Sequence, residues 1–437
     1  MIVMKFGGTS VGNAQSITSA AQIIAAHKSK DPIVVVSAVA GVTDLLINLF
    51  EQTSQQSKKT SLAQIENKHK TILSDLGLDG DLLDVLFNDL SQITFRSRDG
   101  KTAKSKDAVV SFGERFSSRI VAAVLQRNHK IAASAVDAWD IGMLTTGSHG
   151  NSEPLTETPN RIRNYYKKRR PLTVVTGFIG KTKDGEITTL GRGGSDYTTA
   201  IIGGAIQADE IQIWKEVDGV LTTDPRIFPS AKLVTQLHYE EAGELAYFGA
   251  KVLHPKTMLP AMQKNVPIRV LNTFRPKGKG TLISSTIANN LKGVPKAITS
   301  KKGTTVITVH SPDFFDGSGL IAKIFKLFEV RNIPVDVVAT SVVNFSCSFG
   351  SQYYTTSLKK ELERIGPVDV QTDCAIICIV GAHMNTAKVI GDSCSAFLKA
   401  KIPVKMVSES ASGNSVTFLV EEILAQKSII TLHKALL

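Results

Sequence analysis

Cysteine is scarce in this chain: Cys347, Cys374, Cys378 and Cys394 are the four in 437 residues, with no CxxC pair and no histidine at ligand spacing. That pattern excludes a disulfide framework and a zinc site, and the four read as small apolar fillers in a reducing compartment. Aromatic residues make up only 6%, too few for a base-stacking surface, and no helix-turn-helix, zinc-finger or RNA-recognition signature is present. The formal charge of +12 is spread over short runs such as Lys58-Lys59, Lys167-Lys168-Arg169-Arg170 and Lys301-Lys302. These read as solvated loops and helix ends, so no nucleic-acid partner is expected. No apolar run reaches the about 18 residues of a membrane span, and the start of the chain lacks the long apolar stretch of a signal peptide. No membrane partner and a cytoplasmic location follow as expectations. A GxxxxGK[ST] loop is also missing, so the ordinary phosphate-loop fold is unsupported.

What is present is an ordinary globular composition, 42% apolar and 21% charged, in a chain too long for one hydrophobic core. The first 285 residues alternate apolar runs with helical patterns. IVMKF (2–6) is followed by a glycine turn, a helix from about Ser16 to His27, and PIVVVSAV (32–39). Further runs lie at 172–180, 210–217 and 266–271. Strand, glycine turn, helix, strand is the signature of a mainly parallel sheet with crossovers, an α/β fold. The polar stretches 51–61 and 97–107 read as exposed connections around a helical insertion.

Composition shifts to Pro, Gly and Lys after Leu271, which places a boundary near residues 285 to 295. Beyond it lies an internal repeat. Ile333-Pro334-Val335 returns as Ile402-Pro403-Val404, and VITVHS (306–311) falls on AIICIV (375–380), both at an offset of 69 residues. Each unit reads as a ferredoxin-like αβ module of β-α-β-β-α-β type. The expected domains are therefore 1–285, 294–365 and 366–437.

Four stretches set small residues beside a charge: KFGGTSV (5–11), SAVAGVT (37–43), SFGER (111–115) and TLGRGGSDYTT (189–199). In the last, a hairpin strand empties into GRGGSD before a helix expected to start at about Tyr197, capped by Ser195 or Asp196. Glycines let main-chain amides approach an anion, a helix N-terminus favours negative charge, and Arg192 offers a guanidinium fork. Glycine turns after strands collect at the carboxyl ends of a parallel sheet, where ligands bind.

Together KFGGTSV, SFGER, TLGRGGSDYTT, VDGVLTTDPR (217–226) and FGAKVLHPKTM (248–258) resemble the aspartate kinases of the amino-acid kinase family. The duplicated C-terminal unit resembles their paired ACT domains. The resemblance implies a three-layer αβα kinase domain followed by two ACT modules. It also implies transfer of the γ-phosphoryl group of ATP, with Mg2+, to the β-carboxylate of L-aspartate, giving 4-phospho-L-aspartate and ADP. That is the first step towards lysine and diaminopimelate, threonine and methionine. Physically such a site must bring two anions together, against a repulsion of about 4 kcal/mol for unit charges 4 Å apart at an effective dielectric of 20. Cations and oriented amides have to cancel it.

By resemblance Lys5 and Asp196 are catalytic, the lysine beside the transferring phosphate and the aspartate orienting it. Arg192 holds the substrate α-carboxylate and Glu114 its ammonium, with Ser37, Thr43 and Ser195 as further substrate contacts. Glu114 could alternatively be a helix-start carboxylate, and Thr43 a cap for a helix beginning near Leu45. The nucleotide is assigned to Lys5, Gly7, Gly8, Thr9, Lys215, Glu216, Arg226 and Lys251, although Trp214-Lys215-Glu216 and Leu221 depart from the usual family residues. No protein side chain is expected to ligate the metal. The ACT pair is expected to bind an amino-acid effector, commonly lysine, and to build a homodimer or higher oligomer. Phe314, Gly317, Leu320, Ile321, Asp336 and Ser341 align with effector contacts, with Val342 where glutamate is frequent. A kinase for glutamate or a carbamate, and a non-catalytic amino-acid sensor, are the competing readings.

Overall fold

The computed structural model describes residues 1–96, 100–168, 170–250, 253–311 and 318–437. They form two compact units. The first comprises Met1–Val220, Thr235–Tyr239 and Val252–Thr286, and the second Leu221–Val234, Glu240–Lys251 and Ile287–Leu437.

The first unit is built on an eight-stranded sheet of β1 (Ile2–Phe6), β2 (Pro32–Val36), β3 (Ala133–Val136), β4 (Leu172–Thr176), β7 (Glu210–Lys215), β8 (Gln236–His238), β9 (Ile268–Asn272) and β10 (Thr281–Ser284). A separate hairpin pairs β5 (Ile179–Lys181) with β6 (Ile187–Thr189). The order in the large sheet is β3-β4-β2-β1-β7-β9-β10-β8, parallel except where β10 runs against β9. Burial on both faces explains why β1 and β2 read as unbroken apolar runs: all ten residues are buried. Lys5 is the one charged residue among them.

The helices are α1 (Ala14–Ala26), α2 (Val42–Glu51), α3 (Gln55–Asp75), α4 (Asp84–Arg96), α5 (Ala103–Val110), α6 (Phe112–His129), α7 (Thr158–Tyr166), α8 (Gly194–Ile206), α9 (Tyr239–Tyr247) and α10 (Pro255–Met262). Most of α9 groups with the second unit. Helices α3, α4 and α6 pack around Phe87, Phe112 and Phe116, with buried His69 tilted on Phe116. Two stretches expected as exposed connections are largely helical. Ser54 caps α3 by accepting from Ser57 N–H, and the buried stripe of Leu62, Ile65, His69, Ile72 and Leu73 begins only beyond the polar residues. Thr102 and Ser105 form a capping box that starts α5, while residues 97–99 lie outside the described residues. Sparse apolar residues hid both helices from a periodicity reading.

The second unit carries an antiparallel six-stranded sheet, β12-β13-β11-β14-β16-β15. Its strands are β11 (Ala297–His310), β12 (Val335–Thr340), β13 (Asn344–Gly350), β14 (Val368–Val380), β15 (Met406–Glu409) and β16 (Ser415–Glu421). Its further helices are α11 (Ser318–Val330), α12 (Thr356–Leu362), α13 (Thr386–Lys399) and α14 (Ala425–Leu436). The chain runs strand, helix, strand, strand, helix twice, as the repeat implied, each half with its own apolar core. The halves are not side by side as separate sheets. Ala297–Lys301 of β11 pairs with Ile376–Val380, Thr304–Val309 pairs with Val368–Cys374, and a register shift separates the two stretches.

Candidate active site

Two chain segments leave the large sheet at its centre and a third leaves the β5–β6 hairpin, and all three turn into helices around one cleft. Behind β1, the Gly7 amide donates to Trp214 O at 3.1 Å. A Cβ at Gly7 would stand 3.5 Å from Lys5 Nζ, so glycine leaves the ammonium uncovered there. Behind β2, residues 37–41 lead into α2, and Ala40 N–H donates to Gly8 O. Behind β6, the GRGG turn leads into α8. Both helices start on a left-handed glycine, Gly41 at φ 78° and Gly193 at φ 70°, with no side-chain cap. Ser195 and Asp196 are therefore inside the first turn rather than capping it, α8 begins at Gly194 rather than near Tyr197, and Thr43 lies within a helix that starts at Val42. First-turn amides without a side-chain acceptor make both ends attractive to an anion.

The cleft holds about 380 Å³ and is lined by Lys5, Gly8, Ser37, Thr43, Glu114, Phe178, Ser195 and Asp196, among others. Two of the lining side chains form an ion pair, Lys5 Nζ lying 2.8 Å from Asp196 Oδ1, and Lys215, which does not itself line the cleft, places its Nζ 3.2 Å from Asp196 Oδ2. The register explains the meeting, since β1 and β7 are parallel neighbours and their ends coincide. Burial alone would push the Asp196 carboxyl up, but Lys5 and Lys215, by charge and hydrogen bonds, hold it below the usual carboxylate range. Opposite behaviour marks Glu114 in the first turn of α6. Burial raises its carboxyl to about 8, although the Ala38 amide donates to Oε1 at 3.1 Å and Lys5 pulls the other way. Its Oε2 is buried with no hydrogen-bond partner. A buried acceptor without a donor is costly and fits an incoming ammonium.

The remaining assigned residues are not all gathered here. Arg192 is exposed on the turn between Gly191 and Gly193 and does not line the cleft. Thr9 donates to Glu216 Oε2 at 2.8 Å, both exposed. Arg226 is exposed, paired with Asp224, and belongs to the second unit. Lys251 lies outside the described residues, as do Phe314 and Gly317. In the second unit Leu320 and Ile321 are half-buried on α11. Ser341 Oγ accepts from Asn344 N–H in the β12–β13 turn, and Val342 there is 58% exposed. Asp336 on β12 is engaged through Oδ1 by Lys301 Nζ and the Tyr247 hydroxyl, each at 2.6 Å, while its buried Oδ2 has no hydrogen-bond partner among the described residues.

Sequence reasoning missed Phe178, which lines the cleft in a left-handed conformation at φ 68°. The signal was Gly177, directly behind β4, where a Cβ would stand 2.5 Å from Ser195 Cβ. It also did not foresee the Lys215–Asp196 ion pair.

A mainly parallel sheet with an anion-seeking cleft at its strand ends, followed by a duplicated αβ unit, defines a small-molecule kinase with a regulatory tail. The amino acid kinase family model matches residues 1–272 and an ACT domain model matches 377–436. Aspartokinase 1, chloroplastic, of Arabidopsis thaliana is 35% identical over 99% of this chain and 79% of its own length. The lysine-sensitive aspartokinase 3 of Escherichia coli is 32% identical over 100% of this chain and 99% of its own. A crystal structure of E. coli aspartokinase III with aspartate and ADP, in the R-state, superposes with a TM-score of 0.83 at 29% identity, covering 100% of this chain and 99% of that one. The same enzyme with lysine and aspartate, in the T-state, gives 0.80 at the same identity and coverage. The chain belongs to the aspartokinases of the amino acid kinase family, ATP-dependent enzymes with a regulatory ACT region.

Proposed function

We propose that the cleft of the first unit transfers the γ-phosphoryl group of ATP to the β-carboxylate of L-aspartate, releasing ADP and 4-phospho-L-aspartate. The carrying observation is the buried Lys5–Asp196–Lys215 cluster between two uncapped helix starts. Phosphoryl transfer asks little covalent help of a protein, so positioned charge does most of the acceleration. In this reading Lys5 meets the charge that builds on the migrating phosphoryl group, and Asp196 fixes the direction of both ammonium groups. Lys215, Gly7, Gly8, Thr9 and Glu216 take the nucleotide. Glu114 receives the substrate ammonium in ionised form, Arg192 the α-carboxylate, and Ser37, Thr43 and Ser195 lend hydroxyls to the carboxylate end.

Among the described residues no three His, Cys, Asp or Glu side chains come together to hold a metal, and Asp196 is already engaged by two lysines. That donor set fits magnesium carried on the phosphate oxygens rather than caged by protein. When bound, the ion neutralises part of the triphosphate charge. The E. coli aspartokinase III of the T-state crystal structure is in complex with lysine, which supports an amino-acid effector at the ACT pair of this chain. Asp336 is the acceptor we assign to its ammonium, with Leu320, Ile321 and Ser341 as further contacts. A homodimer or higher homo-oligomer, and a cytoplasmic location, complete the reading. No described helix is long and apolar enough to cross a membrane. Coupled measurement of ADP release with aspartate, glutamate and carbamate as acceptors tests the assignment: turnover confined to aspartate supports it, and none with aspartate removes it.

A further inference from the structure

Outside the cleft, on α5, a second buried carboxylate collects an unusual number of donors. Asp107 Oδ2 accepts from Thr189 N–H at 3.0 Å, from Gly150 N–H at 2.9 Å and faces His149 Nδ1 at 3.2 Å. Its Oδ1 accepts the Thr189 hydroxyl at 2.8 Å. Thr189, the last residue of β6, thus gives both of its donors to one side chain. The loop donating from Gly150 is fixed to the same strand, with Ser152 N–H donating to Thr189 O at 2.9 Å. That loop also reaches the turn beyond: a Cβ on Gly191 would stand 2.7 Å from Asn151 Oδ1. A second tie runs in parallel, since Lys104 on α5 pairs with Glu186 at 2.8 Å and His149 Nε2 faces the same carboxylate at 3.4 Å.

What the carboxylate joins is informative. Along the chain in one direction, α5 passes through Ser111 straight into α6 and Glu114. In the other, β6 passes directly into Gly191, Arg192 and the start of α8. The two segments that wall the cleft are therefore held in register by one carboxylate that accepts three hydrogen bonds and faces His149, a contact that cannot slip as an apolar one can. Lys5 and Lys215 depend on different scaffolding, the strands β1 and β7.

We propose that Asp107 is a positioning residue for the amino-acid half of the substrate site: it sets the separation of Glu114 from the turn bearing Arg192, and so governs aspartate binding rather than nucleotide binding. The inference rests on the roles given above to Glu114 and Arg192. Asp107→Asn keeps the shape but turns one acceptor into a donor facing Thr189 and Gly150. It is expected to raise the KM for aspartate about tenfold while the KM for ATP stays within about twofold. Thr189→Val, a gentler change that removes one hydroxyl, should raise the aspartate KM about threefold. The double variant should be no worse than Asp107→Asn alone, because the hydroxyl acts through that carboxylate. Melting temperatures measured alongside separate this from general loosening, which would move both KM values and add across the two sites. An unchanged aspartate KM in both single variants, with Glu114→Gln still raising it, overturns the clamp and leaves the proposed function standing. No change in any of the three, Glu114→Gln included, sinks the reading of the site itself.

Discussion

The two units use buried charge in opposite ways. In the first, two lysines share one aspartate, and Lys5 and Asp196 of that trio line the cleft, so the three side chains together leave a net positive charge beside it. In the second, lysine and carboxylate meet away from the cleft: Lys296 pairs with Glu241 at 2.8 Å, their side chains 5% and 0% exposed, and Lys301, 28% exposed, pairs with the buried Asp336 side chain. The lesson is that burial of an ion pair does not by itself mark chemistry. Imbalance beside a cavity does, whereas balance within a core serves cohesion and fixes partners.

That contrast can be broken by substitution. Lys5→Ala should lower turnover about a thousandfold, the scale of losing one preorganised cation at a developing charge, with little change in melting temperature. Steady-state kinetics beside a thermal melt checks this, and normal turnover would put the cleft in the same class as the second unit's pairs. Glu241→Gln should behave in reverse, costing about 3 kcal/mol of stability because buried Lys296 loses its counter-charge, with turnover per folded molecule nearly kept. Urea unfolding read against specific activity decides it.

The next expectation is a pH profile. The Glu114 carboxyl, raised to about 8 by burial, is mostly protonated at neutral pH. Since the assigned partner is an ammonium, only the ionised form helps, so the KM for aspartate should fall as pH climbs from about 7 to about 9 as this group loses its proton. Glu114→Gln should flatten that profile and raise the KM about tenfold at the alkaline end. A profile unaltered by the substitution would show that the neutral carboxyl is structural. The smallest effect concerns the second unit: Asp336→Asn should shift the lysine concentration for half-maximal response by about threefold, read as ADP release against added lysine. No shift would return Asp336 to the inward-facing pairs.

Much of this was legible in the sequence, and for identifiable reasons. The strand at 2–6 could be read because full burial writes an apolar run, and the repeat because Ile-Pro-Val recurs at a constant offset. Glycine turns behind strands located the cleft. Less legible were features that depend on who stands beside whom. That Lys215 reaches Asp196 follows from α8 packing against both β1 and β7, which no local pattern states. Glu114's displaced proton affinity comes from walls supplied by distant segments. Likewise, Leu221–Val234 and Glu240–Lys251 join the second unit although they precede the composition change at its border. Long-range company, rather than local propensity, decided each of these.

The strand exchange at the centre of the regulatory sheet reaches further than architecture. Because the opening residues of β11 complete the ladder of the later repeat, and β14 opens against the earlier one, neither copy can be excised whole. A protein cut between them would bare two long strand edges, inviting self-association. The two like parts fold as one.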